Sequence, residues 1–326
     1  MKKHHIIWAI VALITMACSG QQKAGVEQVK MEPVGPAFSA DSAYKFCQQQ
    51  CDFGPRTMNS EAHEQCGQWI ADKFRSYGMT VIEQRATLKG FDGTPLLSNN
   101  IIAQYKPGLA ERILICAHWD SRPWADNDPD EANHTKPVMA ANDGASGVAV
   151  MLELARLLAS DDSVSLGVDF ICFDAEDWGS DYYSDSWALG AQYWASHLHH
   201  SCYKPRYGIL LDMVGGQGAK FYQEGYSRRK APQVVDLVWK AAEVVGYGSL
   251  FPKEAGGYIT DDHGPVNDVA GIPCIDIIAY YPYCEQSSFG PTWHTVDDTM
   301  EHIDRHTLKA VGQTLVQVIF SEKQTK

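Results

Sequence analysis

The sequence has little positive charge for its size, and this excludes one large class of partner. Its 326 residues include 27 Lys and Arg against 40 Asp and Glu, so the formal net charge is −13 and the pI is near 5.3. Binding to a nucleic-acid backbone requires a basic patch or stripe. We therefore expect no nucleic acid among the partners of this protein.

Several catalytic signatures are also missing from the sequence. No serine stands in a nucleophile-elbow pattern, no HExxH motif occurs, and the glycine cluster at 215–218 lacks the full dinucleotide-binding pattern. The length allows one large core and requires no second domain. A single domain of catalytic size is therefore predicted.

The apolar run at the N-terminus is too short to span a bilayer. It extends from Ile6 to Ala17, whereas a membrane-spanning helix needs about 20 residues. Lys2 and Lys3 precede it, as in the charged region of a secretory signal. We interpret residues 1–17 as a signal peptide.

Cys18 follows this run and precedes a polar stretch, a pattern that resembles a bacterial lipoprotein cleavage and lipidation site. An ordinary cleaved signal with a chance cysteine is the alternative. Under either interpretation we expect a bacterial protein that is exported and is either periplasmic or anchored to a membrane. The predicted organisation is a lipoprotein-like linker over 18–38 and a catalytic domain over 39–326.

Apart from Cys18 the sequence has eight cysteines, a number compatible with disulfides in an oxidising compartment. Their pairing does not follow from the sequence. Cys116 and Cys172 stand in apolar, strand-like runs, which predicts that they are core thiols.

Helical and strand-like patterns alternate along the chain. Residues 59–78 carry apolar side chains at helical spacing and end on a glycine, and 112–120 and 166–177 are apolar, strand-like runs on either side of a helical pattern at 144–160. The alternation predicts an α/β, three-layer sandwich: a central twisted, mostly parallel or mixed sheet with helices on both faces.

Acids and histidines stand where the predicted strands end. In such sheets ligands bind in the crevice beyond the carboxyl ends of the strands, and a cation would allow clustered acids to lie together. Taken one at a time, these residues also have structural interpretations, such as a helix cap or a buried hydrogen-bonded acid. The residues are His118, Asp120, Asp143, Glu176, Asp177, Asp212 and His294.

The order of these residues resembles the zinc-dependent aminopeptidase superfamily from about residue 50 to 320. The closer resemblance is to the glutaminyl cyclases (glutaminyl-peptide cyclotransferases), because "DDH" at 261–263 occurs together with "WHT" at 293–295. The other motifs are "AHWDSR", "ANDGASG", "FDAEDW" and "ILLDMVG". The resemblance implies an acyltransferase that converts the N-terminal glutamine of peptides or proteins to pyroglutamate and releases ammonia.

The resemblance also implies one zinc ion per chain, bound by Asp143, Asp177 and His294. Glu176 would then be the general base and acid. The family usually has Glu at the position of Asp177, which leaves the exact metal geometry open.

Other roles follow from the same resemblance. Asp212 and Asp261 correspond to paired catalytic acids beside the substrate. The substrate-binding positions would be Trp293, His263, and Tyr182 or Trp187 in the loop over 178–189.

Two alternatives remain open from the sequence alone. In a secreted zinc aminopeptidase, His118 and Asp212 would bind a second metal that Asp143 bridges to the first; otherwise His118 and Asp120 would support the metal site from outside it. The other alternative is a non-catalytic binding domain that has lost its ligands, but this chain retains all of them together with Glu176.

Overall fold

Six β-strands form one mixed sheet in the computed structural model, which describes residues 32–322. Across the sheet the order is β1-β2-β4-β3-β5-β6; β2 is antiparallel to β1 and β4, and β3 to β6 run parallel to one another. The predicted mostly parallel, mixed sheet is thus confirmed. The strands are Thr80–Lys89 (β1), Pro95–Tyr105 (β2), Arg112–His118 (β3), Gly167–Phe173 (β4), Gly208–Asp212 (β5) and Cys274–Ile278 (β6).

Helices cover both faces of this sheet, as predicted. The α-helices of the described part are Ala40–Cys51 (α1), Glu61–Ser76 (α2), Ala145–Ser160 (α3), Leu189–Ser196 (α4), Gly225–Lys230 (α5), Pro232–Val244 (α6), His263–Asp268 (α7) and Arg305–Ser321 (α8). On one face the apolar sides of α1, α2, α3, α6 and α8 form the larger core. On the other face α4 packs over β1 and β2, and α7 packs over β5 and β6.

The eight cysteines within residues 32–322 form no disulfide. For Cys116 and Cys172 the sheet geometry opposes a disulfide: they lie on neighbouring strands, but Cys116 pairs with Ile171 and Cys172 with Ala117. Neighbours offset by one residue point to opposite faces of a sheet. The two thiols are therefore buried in different cores, as predicted for core residues.

The start of α3 lies unusually close to the sheet, and this brings the preceding loop to the strand ends. A Cβ on Gly147 would lie 2.4 Å from the carbonyl oxygen of Leu211 and 2.8 Å from Cβ of Ala117. Only glycine allows this approach without a shift. Asp143, four residues earlier, is thereby held over the carboxyl ends of β3 and β5.

The predicted signal peptide over 1–17 and the predicted lipidation site at Cys18 lie outside the described residues. Both stay predictions from the sequence. The described end of the predicted linker lies on α8, because Val34 N donates to Gln317 and Phe38 N to Gln313, and Phe38 is buried. Among residues 32–322 no helix has the length and apolarity that a membrane crossing requires.

Glu224, which precedes α5, is a buried carboxylate with several hydrogen-bond donors. Its side chain accepts from the backbone N–H groups of Tyr226, Ser227 and Ile259, and His263 Nε2 lies 3.3 Å from Oε2. Burial opposes ionisation, but His263 and these donors lower the pKa of Glu224 to about 2. The ionised form therefore stabilises the junction of α5 and α7.

We expect the Glu224→Gln variant to lose about 3 kcal/mol of unfolding free energy at pH 7, the value of a pKa lowered from 4.5 to about 2. A pKa that falls on folding stabilises above the unfolded value, so the difference from wild type should narrow as pH falls below about 4.5. Urea unfolding at several pH values measures this. Glu243→Gln, at an exposed ion pair, should change stability by no more than about 0.5 kcal/mol; an equal loss in the Glu224 variant at all pH values would contradict the prediction.

Candidate active site

The carboxyl ends of the parallel strands bring the predicted acids and histidines together. His118 ends β3 and Asp212 ends β5, while Asp143 precedes α3. His118 Nε2 lies 3.0 Å from Asp143 Oδ1 and 3.3 Å from Asp212 Oδ1. All three residues are buried.

The three predicted metal ligands, Asp143, Asp177 and His294, form a group of their own, which shares Asp143 with His118 and Asp212. His294 Nε2 lies 3.2 Å from Asp177 Oδ1 and 3.6 Å from Asp143 Oδ2. One atom from each of the three lies within 4.8 Å of the others. One imidazole nitrogen and two carboxylate oxygens are a usual donor set for zinc.

The local charges fit a bound cation at Asp143, Asp177 and His294. Burial raises the pKa of Asp177, although His294 opposes the rise. Burial also acts to raise the pKa of Asp143, but the hydrogen bond from His118 opposes it and the pKa of Asp143 is lowered. Asp177 Oδ2 is buried without a hydrogen-bond partner among the described residues. Because carboxylates this close repel one another when ionised, a cation among them lowers the energy of the folded protein.

Glu176 stands beside this group and faces a cavity. Burial, followed by the charges of Asp261 and Asp177, raises the pKa of Glu176 well above its ordinary value, while His118 opposes them. The preceding residue, Ala175, has φ of +54°, a conformation that costs energy in a residue with a side chain. After this sharp turn, which follows β4, Glu176 lines the cavity and Asp177 lies beside His294.

Asp120 fixes the same turn through two hydrogen bonds. Its two carboxylate oxygens accept hydrogen bonds from the backbone N–H groups of Glu176 and Asp177, each at 3.1 Å. Its Oδ1 also lies 3.6 Å from His118 Nδ1. Asp120 therefore supports both groups of potential ligands.

Three further residues support the ligands, and sequence reasoning missed all of them. Arg122 donates to the carbonyl oxygen of Asp177 and also binds Asp126, whose Oδ1 lies 3.5 Å from His294 Nδ1. Asp298 accepts from the backbone N–H of Asp143. A carboxylate on the second nitrogen of a metal-binding histidine fixes its orientation. The signals in the sequence were that Arg122 is the last residue of "AHWDSR" and that Asp298 stands three residues after "WHT".

The cavity beside Glu176 has a volume of about 260 Å³ and walls of mixed character. Asp212 and Asp261 supply carboxylates, and Trp187 and Trp293 supply aromatic surface. The Trp293 ring stacks on His294 with centroids 3.7 Å apart. Carboxylates, an apolar wall and the potential metal ligands therefore face one space.

Two residues predicted to bind substrate lie elsewhere. Tyr182 is 93% exposed and lines a neighbouring cavity of about 340 Å³. His263 is fully buried behind the cavity wall against Glu224. The structure thus places Trp187, rather than Tyr182, on the wall of the cavity that contains Glu176.

The fold and site define an α/β domain with a metal-binding centre at the carboxyl ends of its parallel strands. The chain belongs to peptidase family M28, whose family model matches residues 100–319.

Proteins similar to this chain include a glutaminyl cyclase and peptidases. A glutaminyl cyclase from Bacteroides thetaiotaomicron, solved bound to N-acetylhistamine, is 50% identical with a TM-score of 0.86, covering 89% of this chain and 100% of that one. A Zn-dependent exopeptidase from Parabacteroides distasonis is 47% identical with a TM-score of 0.86, covering 89% and 100%. Aminopeptidase YwaD of Bacillus subtilis is 31% identical over 73% of this chain, and the chain spans about half (48%) of the length of that relative.

Proposed function

We propose that this protein is a glutaminyl-peptide cyclotransferase, which converts the N-terminal glutamine of peptides to pyroglutamate and releases ammonia. The observation that carries the proposal is the 50% identity to a bacterial glutaminyl cyclase over the whole length of that chain. The cavity supports it, since it places Glu176, Asp212, Asp261 and the indole rings of Trp187 and Trp293 around one small space.

One zinc ion would be held by Asp143, Asp177 and His294, whose donor atoms lie within 4.8 Å of one another. When bound there, zinc supplies a Lewis acid that polarises the γ-carbonyl of the glutamine. Arg122 and Asp126 hold Asp177 and His294 in place, and Asp298 holds Asp143.

Glu176 carries the proton transfer. The α-amine attacks the side-chain amide carbon, a carbon–nitrogen bond forms, and the bond to the amide nitrogen breaks. Glu176 takes the proton that the α-amine loses and returns it to the departing nitrogen, which leaves as ammonia. A carboxyl whose pKa is raised by burial is suited to exchanging protons near neutral pH.

The cavity contributes chiefly by orientation. Nucleophile and electrophile belong to one molecule, so a fixed conformation can supply an effective molarity of roughly 10⁵ M or more without an activated water. Asp212 and Asp261 line the cavity in which the α-amine would lie, and Trp293 lines it with an apolar surface that would pack against the glutamine side chain and exclude water. This division of roles needs one metal ion only.

The second candidate is an aminopeptidase with two metal ions. Its supporting observation is the second group of His118, Asp143 and Asp212, which shares Asp143 with the first and could bind a further ion. Such an enzyme would need water as its nucleophile, and metal ions held by these residues would supply the positive charge that activates it.

The two functions are separated by offering purified protein a glutaminyl peptide and a leucyl peptide while the zinc content is measured. We expect ammonia from the glutaminyl peptide, no free leucine from the other, and one zinc per chain. Free leucine together with two zinc ions per chain would contradict the cyclase and support the aminopeptidase.

A further inference from the structure

The neighbouring cavity of about 340 Å³ has no part in the function proposed above. We call it the side cavity. Its walls carry the rings of five residues: Phe91, Trp124, Tyr182, Trp187 and Trp293. It shares four lining residues with the cavity of Glu176: Asp181, Trp187, Trp293 and His294. The two cavities therefore adjoin each other beside the potential metal ligands.

The rings around the side cavity hold one another in place. Phe91, in the turn between β1 and β2, lies edge-on to Trp124 with ring centroids 5.9 Å apart, and Trp124 lies edge-on to Trp178 at 5.0 Å. A Cβ on Gly179 would clash with the ring of Trp187, so glycine allows this indole to lie against the backbone. The aromatic walls are thus in place without a ligand, and binding does not have to order them.

The charge inside the side cavity is already paired within the protein. Arg122 is 4% exposed, and its Nη2 lies 2.5 Å from Asp126 Oδ2. Its guanidinium also packs over the rings of Trp124 and Trp187, at 5.4 and 4.9 Å from their centroids. The other carboxylate on the walls, Asp181, is exposed to solvent. A charged ligand group would lose water here without gaining an unpaired partner, so an apolar group is favoured.

The side cavity lies within reach of the residue that follows an N-terminal glutamine. The glutamine would fill the cavity of Glu176, and the next Cα along the peptide is only about 3.8 Å away. Because Trp187 and Trp293 line both cavities, the side chain of this next residue can enter the side cavity directly. A further cavity that adjoins that of Glu176, against Ile259 and Ile278, measures about 10 Å³ and is too small for a side chain.

We propose that the side cavity binds the side chain of the residue after the N-terminal glutamine and selects a large aromatic side chain at this position. The inference rests on the proposed cyclase function, which supplies the substrate. Phe91, Trp124 and Tyr182 provide the rings against which that side chain packs. None of the three lines the cavity of Glu176 or belongs to the potential metal ligands, so they determine specificity without taking part in the reaction.

The first test compares the peptides Gln-Phe-Ala and Gln-Ala-Ala, both amidated so that their charges are equal. Ammonia release should show a kcat/KM on the order of tenfold higher for the phenylalanyl peptide, because its ring leaves water and gains aromatic contacts. Gln-Lys-Ala and Gln-Glu-Ala should react no better than the alanyl peptide. Equal values for the phenylalanyl and alanyl peptides would overturn the proposal, and so would a lysyl peptide that reacts faster than the phenylalanyl one.

The Phe91→Ala variant shows whether the side cavity is the source of the preference. Phe91 is 39% exposed in a turn, so its truncation should affect the fold little. The ratio of kcat/KM between the phenylalanyl and alanyl peptides should fall at least about threefold, the value of one lost aromatic pair, with zinc per chain unchanged. Tyr283→Ala is the matched control, because Tyr283 is 95% exposed and lines neither cavity; it should keep the wild-type ratio. An unchanged ratio in the Phe91 variant would overturn the assignment to this cavity.

Binding of the cyclised products tests the side cavity without a reaction. In a calorimetric titration, pyroglutamyl-phenylalanine amide should bind wild type on the order of tenfold more tightly than pyroglutamyl-alanine amide, and Phe91→Ala should remove most of this difference. Equal affinities would overturn the proposal. If wild type releases no ammonia from any glutaminyl peptide, the proposed function fails, whereas the titration still decides whether the side cavity takes an aromatic side chain. If ammonia is released equally from all the peptides, the function stands and the inference fails.

Discussion

The Glu176→Gln variant is expected to lose about two to four orders of magnitude in kcat while it retains its zinc. The substitution keeps the shape of the side chain and removes its ability to accept and return a proton, a role worth roughly 10²- to 10⁴-fold in rate. Glu176 is absent from both groups of potential metal ligands, so metal binding should persist. Ammonia release in single-turnover and steady-state assays, together with zinc per chain, measures both effects.

A matched control is available on the following loop. Asp185→Asn is also a change of carboxylate to amide, but Asp185 is exposed and lines neither of the two cavities beside His294. Its kcat should stay within about twofold of wild type. If the Glu176 variant keeps more than about a tenth of the wild-type rate, another residue must transfer the proton.

The sequence allowed the positions of most site residues to be predicted because they follow strands directly. His118, Glu176 and Asp212 stand at or within three residues of strand ends, and parallel strands bring their carboxyl ends to one edge. Asp143 was also accessible, because the helical pattern after it is clear. For these residues local sequence and sheet topology together determine the position.

The supporting residues could not be predicted in the same way. Asp126 lies in "WADNDPD", which has the composition of a solvated loop, yet it lies 3.5 Å from His294, 168 positions later in the chain. Asp298 likewise reaches back to Asp143. Such contacts depend on how two long loops fold against each other, and the periodicity of the sequence does not predict this arrangement.

His263 shows a different limit. It lies two residues from Asp261, which faces the cavity, but it is the first residue of α7 and its ring is turned toward Glu224. The "DDH" motif indicates that this segment lies near the site, whereas the direction of each side chain depends on where the helix begins. The motif therefore located the segment correctly and could not separate the cavity wall from the layer behind it.

Several acids around the site are buried, and arginine, histidine and backbone donors near them offset the cost of burying their charges. Burial raises the pKa of Asp212 and of Asp298 to about 7 in each case. Each such acid has backbone or histidine donors that oppose the shift. A site built this way holds its carboxylates rigidly before substrate and metal bind, which favours orientation over flexibility.

The His294→Asn variant is expected to lose zinc, and activity with it. His294 has φ of +54°, a conformation that Asn tolerates better than most residues, so the substitution separates ligand loss from backbone strain. Asn removes the imidazole nitrogen that lies 3.2 Å from Asp177. Because losing a group that only orients a ligand costs 10- to 100-fold in metal affinity, losing the ligand itself should cost more than about 100-fold.

Zinc titration against a competing chelator measures this affinity, and ammonia release at saturating zinc shows whether activity follows occupancy. His200→Asn is the control, since His200 is exposed and belongs to none of the potential metal groups; its affinity and activity should equal those of wild type. Partial recovery of the His294 variant at high zinc would agree with a weakened site that keeps Asp143 and Asp177. Unchanged affinity would instead remove His294 from the ligand set and leave the second group, at His118, as the place where the metal binds.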